Sequence, residues 1–336
     1  MRIAVVSIMF KQTPPPAYGG IERVVYNQVE ALVRAGHDVT MFATPGSYCS
    51  GTTVEVKDYD PSHAPSGITK KSDAISEEPL YKAMKIYLKT NPVDVIHDWS
   101  FDSLYVQRHP ESFPFVISTC IPPPPDFQRQ NLVACSKAHA RRCGGKTKHV
   151  YYGLDLDSYQ YQYDKQEQFI HIAKIARYKG QHMAILAALK SNSRLAIAGN
   201  IEDKLYYNLV INPLVSIFRN ISYIGELQGT NPQLLKAKAL IQTPRWFDAF
   251  PLVILESFAS GTPVIALDEG GIPEQIVSGV NGYLCKTVFD IADAMENIGK
   301  IKPETCRQYA EAHYNADRMM KDYVELYQRV IDGETW

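Results

Sequence analysis

The sequence predicts an α/β protein built from two Rossmann-like domains, each a parallel sheet wound with helices. Three observations carry this. The chain has 336 residues, more than one ordinary domain holds and well suited to two. Short apolar runs rich in β-branched residues alternate with stretches of helical period, the grammar of a parallel sheet. That grammar then starts again near residue 150. One array falls in residues 1–150 and the other in residues 151–316, and a last helix at 317–336 is expected to cross back to the first. In such a molecule a ligand is expected in the cleft between domains, at the carboxyl ends of the strands.

The elements follow in order. Ile3, Ala4, Val5 and Val6 make a strand fit for burial on both faces. A loop with Pro14, Pro15 and Pro16 leads to Gly19 and Gly20. Val24, Val25, Val29, Leu32 and Val33 then recur at helical spacing, and Gly36 is a natural stop. Residues 38–43 form the next strand, with others at 93–97, 114–118 and 132–135. Residues 60–80 are polar and read as a loop, and residues 122–125 are a rigid run of prolines. In the second array, strands are expected at 169–172, 195–198, 221–224, 239–242 and 263–267. Helices are expected after Lys179 and Gly180, from Pro251 to a stop at Gly261, and from Pro273. Met320, Tyr323, Val324 and Tyr327 share a face of the last helix.

Composition removes several classes. Hydrophobic residues are 45% and charged residues 21%, ordinary globular values that exclude disordered, collagen-like and coiled-coil chains. The net charge is −1 and neither half is strongly basic, so no nucleic-acid partner is expected. Cys49, Cys120, Cys135, Cys143, Cys285 and Cys306 show no C-x-x-C spacing, which points to reduced thiols and a cytoplasmic setting. The apolar start is too short for a signal peptide, and no apolar run approaches the roughly 20 residues that span a bilayer. Membrane contact, if any, would be peripheral.

Several stretches could carry chemistry. In RWFDAFPLVILE a strand ends near Gln242, Asp248 lies in a loop, and a helix opens at Pro251, where a missing N–H costs nothing. The amides of Leu252 and Val253 then point from a positive helix end, and Glu256 follows in that helix. Two carboxylates beside free amides suit a ligand with hydroxyls and phosphates; an ordinary acid-capped helix would read the same way. Gly19 and Gly20 allow a phosphate or sugar close to the backbone, and would equally make a simple turn. They are not G-x-G-x-x-G, and no P-loop is present. Lys174 and Lys179 flank a strand-to-helix turn and could neutralise a diphosphate without a metal, or be solvated. His97 ends a buried strand, where it could bind a sugar, act as acid or base, or serve the structure. Asp155 and Asp157 match D-x-D, a short pattern that reads as a loop at the domain link. Lys137, Arg141, Arg142, Lys146 and Lys148 form a basic cluster, either a solvated face or an attraction for an anionic acceptor or lipid surface.

Taken in order, these stretches resemble the family 4 glycosyltransferases, retaining enzymes of the GT-B fold. The resemblance runs through YGGIERVV, DVIHDWS, LVACSKAHA, YYGLDLDSY, FIHIAKIARYKG and LAIAGN to FDAFPLVILESFASGTPVIALDEGGIPEQIVSGVNGYL. The last segment is the most specific. The stretch PPPAYGGIERVV is also similar to that of members that glucosylate a pterin.

The resemblance implies that residues 1–150 hold the acceptor and residues 151–316 the nucleotide-sugar donor. Glu256 would bind the ribose hydroxyls. Asp248 would hold hydroxyls of the donor sugar, in a place where Glu is usual, so its carboxylate is drawn back by one methylene. Lys179 would bind phosphate with Lys174, which stands where Arg is usual and lacks the bidentate fork. Gly19 and Gly20 would lie against the diphosphate, and His97 near the sugar. The backbone from Tyr223 to Gly225 would face the base, and Phe250, Leu252 and Val253 would line the donor site. The implied reaction moves a hexose from a nucleotide diphosphate sugar, with UDP favoured, to an acceptor hydroxyl of a small molecule, glycan or lipid-linked acceptor. Neither a metal nor another cofactor is implied. Two alternatives share such a site: a GT-B nucleotide-sugar epimerase, and a binding protein that has lost turnover.

Overall fold

A computed structural model describes residues 1–16, 19–57, 76–121 and 129–336. The proline run at 122–125 and most of the 60–80 loop lie outside the described residues. The chain divides into two compact units. One is Met1–Gly153 with Ala316–Trp336, and the other is Leu154–Asn315.

The first unit holds a seven-stranded sheet. Its strands are β1 (Arg2–Val6), β2 (Asp38–Ala43), β3 (Thr52–Glu55), β4 (Val95–Asp98), β5 (Phe115–Ser118), β6 (Leu132–Ala134) and β7 (Lys148–His149), in the order β3-β2-β1-β4-β5-β6-β7. Every pair is parallel. Ile3, Ala4, Val5 and Val6 of β1 and Val95 and Ile96 of β4 are buried, as befits strands covered on both faces by helices. Those helices are α1 (Gly20–Arg34), α2 (Glu78–Leu88), α3 (Leu104–Arg108), α4 (Lys137–Cys143) and the C-terminal helix Ala316–Ile331. The C-terminal helix packs on α1, β4 and β5. Val6, Phe42, Met84, Ile96 and Ile117 belong to one core on this sheet. The order reverses between β1 and β4, which is where such sheets open a binding crevice.

The second unit holds β8 (Phe169–Ile172), β9 (Leu195–Ala198), β10 (Ile221–Tyr223), β11 (Leu240–Gln242), β12 (Val264–Leu267) and β13 (Gly282–Cys285), in the order β10-β9-β8-β11-β12-β13. All of these pairs are parallel too. Its helices begin with α5 (Gln181–Lys190). A compound helix follows, made of α6 (Lys204–Tyr206), a π-helical stretch (Tyr207–Ile211) and α7 (Asn212–Ile217). Then come α8 (Asn231–Lys236), α9 (Leu252–Ala259), α10 (Val288–Asn297) and α11 (Pro303–His313), and the C-terminal helix is α12. Ile254, Leu255 and Phe258 of α9 are fully buried, as are Ile265 and Ala266 of β12. Here the order reverses between β8 and β11.

Some expectations are corrected. Pro251 caps α9 with an extended ψ of 115°, so the helix begins at Leu252. The helix expected from Pro273 is a single 3-10 turn, Ile272–Glu274, after which the chain runs as a loop to β13 at Gly282. Asp157 lies in a 3-10 turn, Leu156–Ser158, directly after the division between units. Helix α2 begins inside the stretch read as loop.

Candidate functional site

Strand pairing builds the strongest candidate site. β8 lies beside β11, so the turn after Ile172 and the loop after Gln242 leave the sheet side by side. Lys174 and the 3-10 turn Arg177–Lys179 come from the first, and Asp248 from the second. Lys179 Nζ lies 2.6 Å from the Asp248 carboxylate. Their side chains are only 18% and 14% exposed, so water screens the pair weakly. The same ammonium lies 5.1 Å from the Trp246 ring centre, within cation–π range. Trp246 in turn leans on Tyr178, ring centres 5.1 Å apart.

Lys174 takes a different partner. Its Nζ is 2.9 Å from Glu202, whose other oxygen accepts the Tyr178 hydroxyl at 2.7 Å. The structure thus brings Lys179 to Asp248 and Lys174 to Glu202. Glu202 is a site residue that sequence reasoning missed, since nothing in the spacing links it to Lys174. An open depression of about 540 Å³ lies beside it, between Ala176–Tyr178 and the stretch from Glu202 to Leu205.

The loop that carries Asp248 is held by its backbone. Arg245 N–H donates to the Tyr178 carbonyl at 2.7 Å, and Gly271 N–H donates to the Asp248 carbonyl at 2.8 Å. Gly270 sits at φ +61°, and a Cβ there would run into the Asp248 carbonyl. Only glycine allows this approach, so the G-G-I-P-E stretch positions Asp248.

Helix α9 adds its amino end. The Pro251 carbonyl accepts from Ile254 N–H at 3.2 Å and from the Gln275 side-chain amide at 3.1 Å. Among the described residues, no acceptor lies within reach of the Leu252 and Val253 N–H groups. Glu256, in the second turn, is 6% exposed and accepts from the Thr230 hydroxyl at 2.9 Å and the Tyr159 hydroxyl at 3.2 Å. Phe250 departs from expectation: its side chain is buried against Tyr314, so it can meet a ligand only through its backbone.

Tyr223 ends β10 and Gly225 follows it, while Gly199 follows β9 alongside. The Tyr223 hydroxyl donates to the Gly199 carbonyl at 2.8 Å, and Gly199 N–H donates to the Gly225 carbonyl at 2.8 Å.

In the first unit, Gly19 and Gly20 open α1 after the β1 loop. A Cβ on Gly19 would press on Pro15 at 2.6 Å and on the Glu22 carboxylate at 2.9 Å, whereas among the described residues nothing lies within 4 Å of one on Gly20. Gly20 therefore keeps open space at the sheet's switch point.

His97 is corrected. It is fully buried, and burial pushes its pKa down to about 3. Its Nδ1 lies 2.7 Å from the Tyr327 hydroxyl and 2.8 Å from the Gln28 amide, and its Nε2 lies 2.7 Å from the Ser118 hydroxyl. Both nitrogens are engaged and the ring is neutral, so His97 ties β4 to α1, β5 and α12. Neighbouring Asp98 is fully buried too, and burial pushes it up to about 6. Glu77 accepts from the Phe101 and Asp102 amides at 2.7 and 2.9 Å; burial, then the charges of Asp98 and Asp102, push it up to about 7.

The basic cluster lies on and after α4, where Lys137, Arg141, Arg142 and Lys146 are exposed. None of the six cysteines is disulfide-bonded. Among the described residues no three metal-ligating side chains gather, and no helix is long and apolar enough to cross a membrane.

Two family models match the chain. "Glycosyl transferases group 1" covers residues 159–317, and "Glycosyltransferase Family 4" covers residues 18–119. The chain belongs to the family 4 glycosyltransferases. One curated relative of this family 4 protein is the alpha-1,3/1,6-mannosyltransferase ALG2 of Dictyostelium discoideum, 28% identical over 40% of this chain and 38% of that one. The chain thus matches well under half the length of that relative. Among solved structures, AviGT4, a glycosyltransferase involved in avilamycin A biosynthesis, superposes with a TM-score of 0.82 at 23% identity, covering 100% of this chain and 99% of that one. Anabaena Alr3699/HepE in complex with UDP-glucose superposes with a TM-score of 0.70 at 16% identity, covering 98% and 99%. These likenesses establish the fold, which is GT-B.

Proposed function

We propose that this glycosyltransferase moves a hexose from a UDP-sugar to an acceptor hydroxyl with retention at the anomeric carbon and without a metal. The observation that carries the reading is the Lys179–Asp248 pair at the β8/β11 switch point, next in sequence to the open amino end of α9. It offers a cation for a diphosphate and a carboxylate for sugar hydroxyls side by side. The family membership and the HepE complex with UDP-glucose support the choice of donor.

Unit 2 then holds the donor. Lys174, Lys179 and the Leu252 and Val253 amides receive the charge that builds on the diphosphate as the glycosidic bond breaks. Glu256 takes the ribose hydroxyls and Asp248 the hydroxyls of the sugar. The acceptor oxygen bonds to the anomeric carbon on the face the phosphate leaves, and its proton passes to the departing phosphate oxygen. This needs no protein acid or base, in keeping with the buried, neutral His97. Unit 1 holds the acceptor. The exposed α4 cluster suits an anionic or lipid-linked acceptor.

A thermal-shift panel of UDP, GDP, ADP and their sugars tests the reading, since a ligand stabilises by RT ln(1 + [L]/Kd). UDP and UDP-glucose should raise the melting temperature, and Glu256→Ala should abolish both shifts. No shift with any nucleotide would sink the proposal. Free UDP released only when an acceptor is added identifies turnover.

A further inference from the structure

The compound helix of unit 2 turns an apolar row to solvent. Its outward face carries two rows that each step by four residues. Lys204, Asn208, Asn212 and Ser216 form one, and Leu205, Leu209, Pro213 and Ile217 the other. Leu205, Leu209 and Ile217 are 72%, 73% and 68% exposed. Tyr206 and Ile211, on the inward face, are buried and anchor the helix. Single exposed leucines are common on soluble proteins, but a row of them on one helix is not.

The helix geometry keeps the row straight. In an α-helix a four-residue step overshoots one turn by about 40°, so three such steps drift about 120° around the axis. The i→i+5 turns of Tyr207–Ile211 hold more residues per turn and remove part of that drift where Leu209 sits.

The charge around the row has one sign. The sequence holds no Asp or Glu between Asp203 and Glu226. Lys204 and Arg219 are exposed at the two ends. Asp203 caps the helix by accepting the Tyr206 N–H at 2.9 Å, and Glu202 is paired with Lys174. A helix with leucines on one row, polar residues beside it and cations at its ends suits an anionic bilayer surface. A stable dimer takes roughly 800 Å² from each partner, more than three leucine-sized side chains offer.

We infer that this face of the compound helix seats on an anionic lipid surface. Leu205, Leu209 and Ile217 enter the boundary between headgroups and acyl chains, while Lys204 and Arg219 meet lipid phosphates. The inference uses other residues than the transferase reading and can be tested without turnover.

The test is co-sedimentation of the full chain with vesicles of phosphatidylcholine alone and of phosphatidylcholine with phosphatidylglycerol. The wild-type chain should partition to the mixed vesicles. The double variant Leu209→Gln/Ile217→Gln should lose about tenfold in partition, since two exposed apolar side chains are removed from the contact. Because both are on the surface, its melting curve should match the wild type; if it does not, Ile217→Gln alone serves. Lys204→Gln/Arg219→Gln should erase the preference for phosphatidylglycerol. Absence of wild-type partition, or equal partition of the apolar variant, overturns the inference. So does partition that falls only with Arg141→Gln/Arg142→Gln, which would place the contact on α4. A dimer that the Leu209→Gln/Ile217→Gln variant dissolves would assign the row to a second copy and overturn it as well.

Discussion

Replacing Asp248 by Asn should tighten UDP more than it tightens UDP-glucose. Lys179 is held 2.6 Å from Asp248 with both side chains largely out of water. At an effective dielectric of about 20 the bare attraction at that separation is roughly 6 kcal/mol. Desolvation of the two groups cancels most of it, which leaves on the order of 1–2 kcal/mol. A diphosphate must draw Lys179 at least partly away, so UDP binding carries that cost. The isosteric Asn keeps the loop, whose Gly271–Asp248 bond is made by backbone atoms, and releases the ammonium. A gain of about 1.4 kcal/mol corresponds to tenfold tighter UDP. At fixed excess ligand this adds roughly 2 °C to the UDP-induced shift in melting temperature. UDP-glucose should gain less, because its sugar loses a charged hydrogen-bond partner. Titration calorimetry of wild type, Asp248→Asn and Lys179→Ala separates the terms. If Asp248→Asn weakens UDP as much as Lys179→Ala does, the pair is not a competitor of phosphate and the division of roles fails.

Three further outcomes follow from the same geometry. Gly270→Ala should lower stability by about 1–3 kcal/mol and weaken the UDP-glucose response more than the UDP response, because a Cβ at φ +61° pushes on the Asp248 carbonyl; paired melts with each ligand measure it. His97→Ala should cost about 3 kcal/mol or more, read by denaturant unfolding, since it opens a core cavity and strips partners from Ser118, Gln28 and Tyr327. A lost activity with unchanged stability would restore His97 to the chemistry. Glu77 has an ordinary value near 4.5 and is pushed up to about 7, so between those values the folded chain keeps a proton that the unfolded chain has released. Its contribution is fully present below about pH 4.5 and is lost as pH rises through about 7. Melts at pH 5 and pH 8 should therefore differ less in Glu77→Gln than in wild type, with Asp98 supplying part of what remains.

The doubly wound sheets were legible because their central strands are continuous apolar runs, as in β1, β9 and β12, and because glycines punctuate them. Edge strands were not. β3 has a half-exposed pattern, β7 has two residues and β13 begins with a glycine, so none carries a readable period. Helix α2 hid its Leu80, Met84 and Leu88 row behind the polar stretch before it. The compound helix hid its period because the π turns break the 3.6-residue rhythm. α10 had a readable start, the Thr287–Asp290 capping box, that composition alone does not reveal. At the site, residue types were legible and partnerships were not. Lys179 and Asp248 lie 69 positions apart, and only the β8–β11 pairing makes them neighbours. The burial of His97 was equally hidden, since two of its hydroxyl partners come from β5 and α12.

The return of α12 to the first unit also sets an order of birth. Residues 154–315 are contiguous and can close their sheet as they leave the ribosome. The earlier unit cannot finish, because Tyr323 and Tyr327, which bond Ser118 and His97, are made only after residues 154–315. At about 5–20 residues per second the amino-terminal half waits on the order of 10–40 s for its final helix. During that wait β4 and β5 lack the cover that α12 gives them. The later unit therefore matures first, and the amino-terminal half is the part of the nascent chain that would most occupy a holding chaperone.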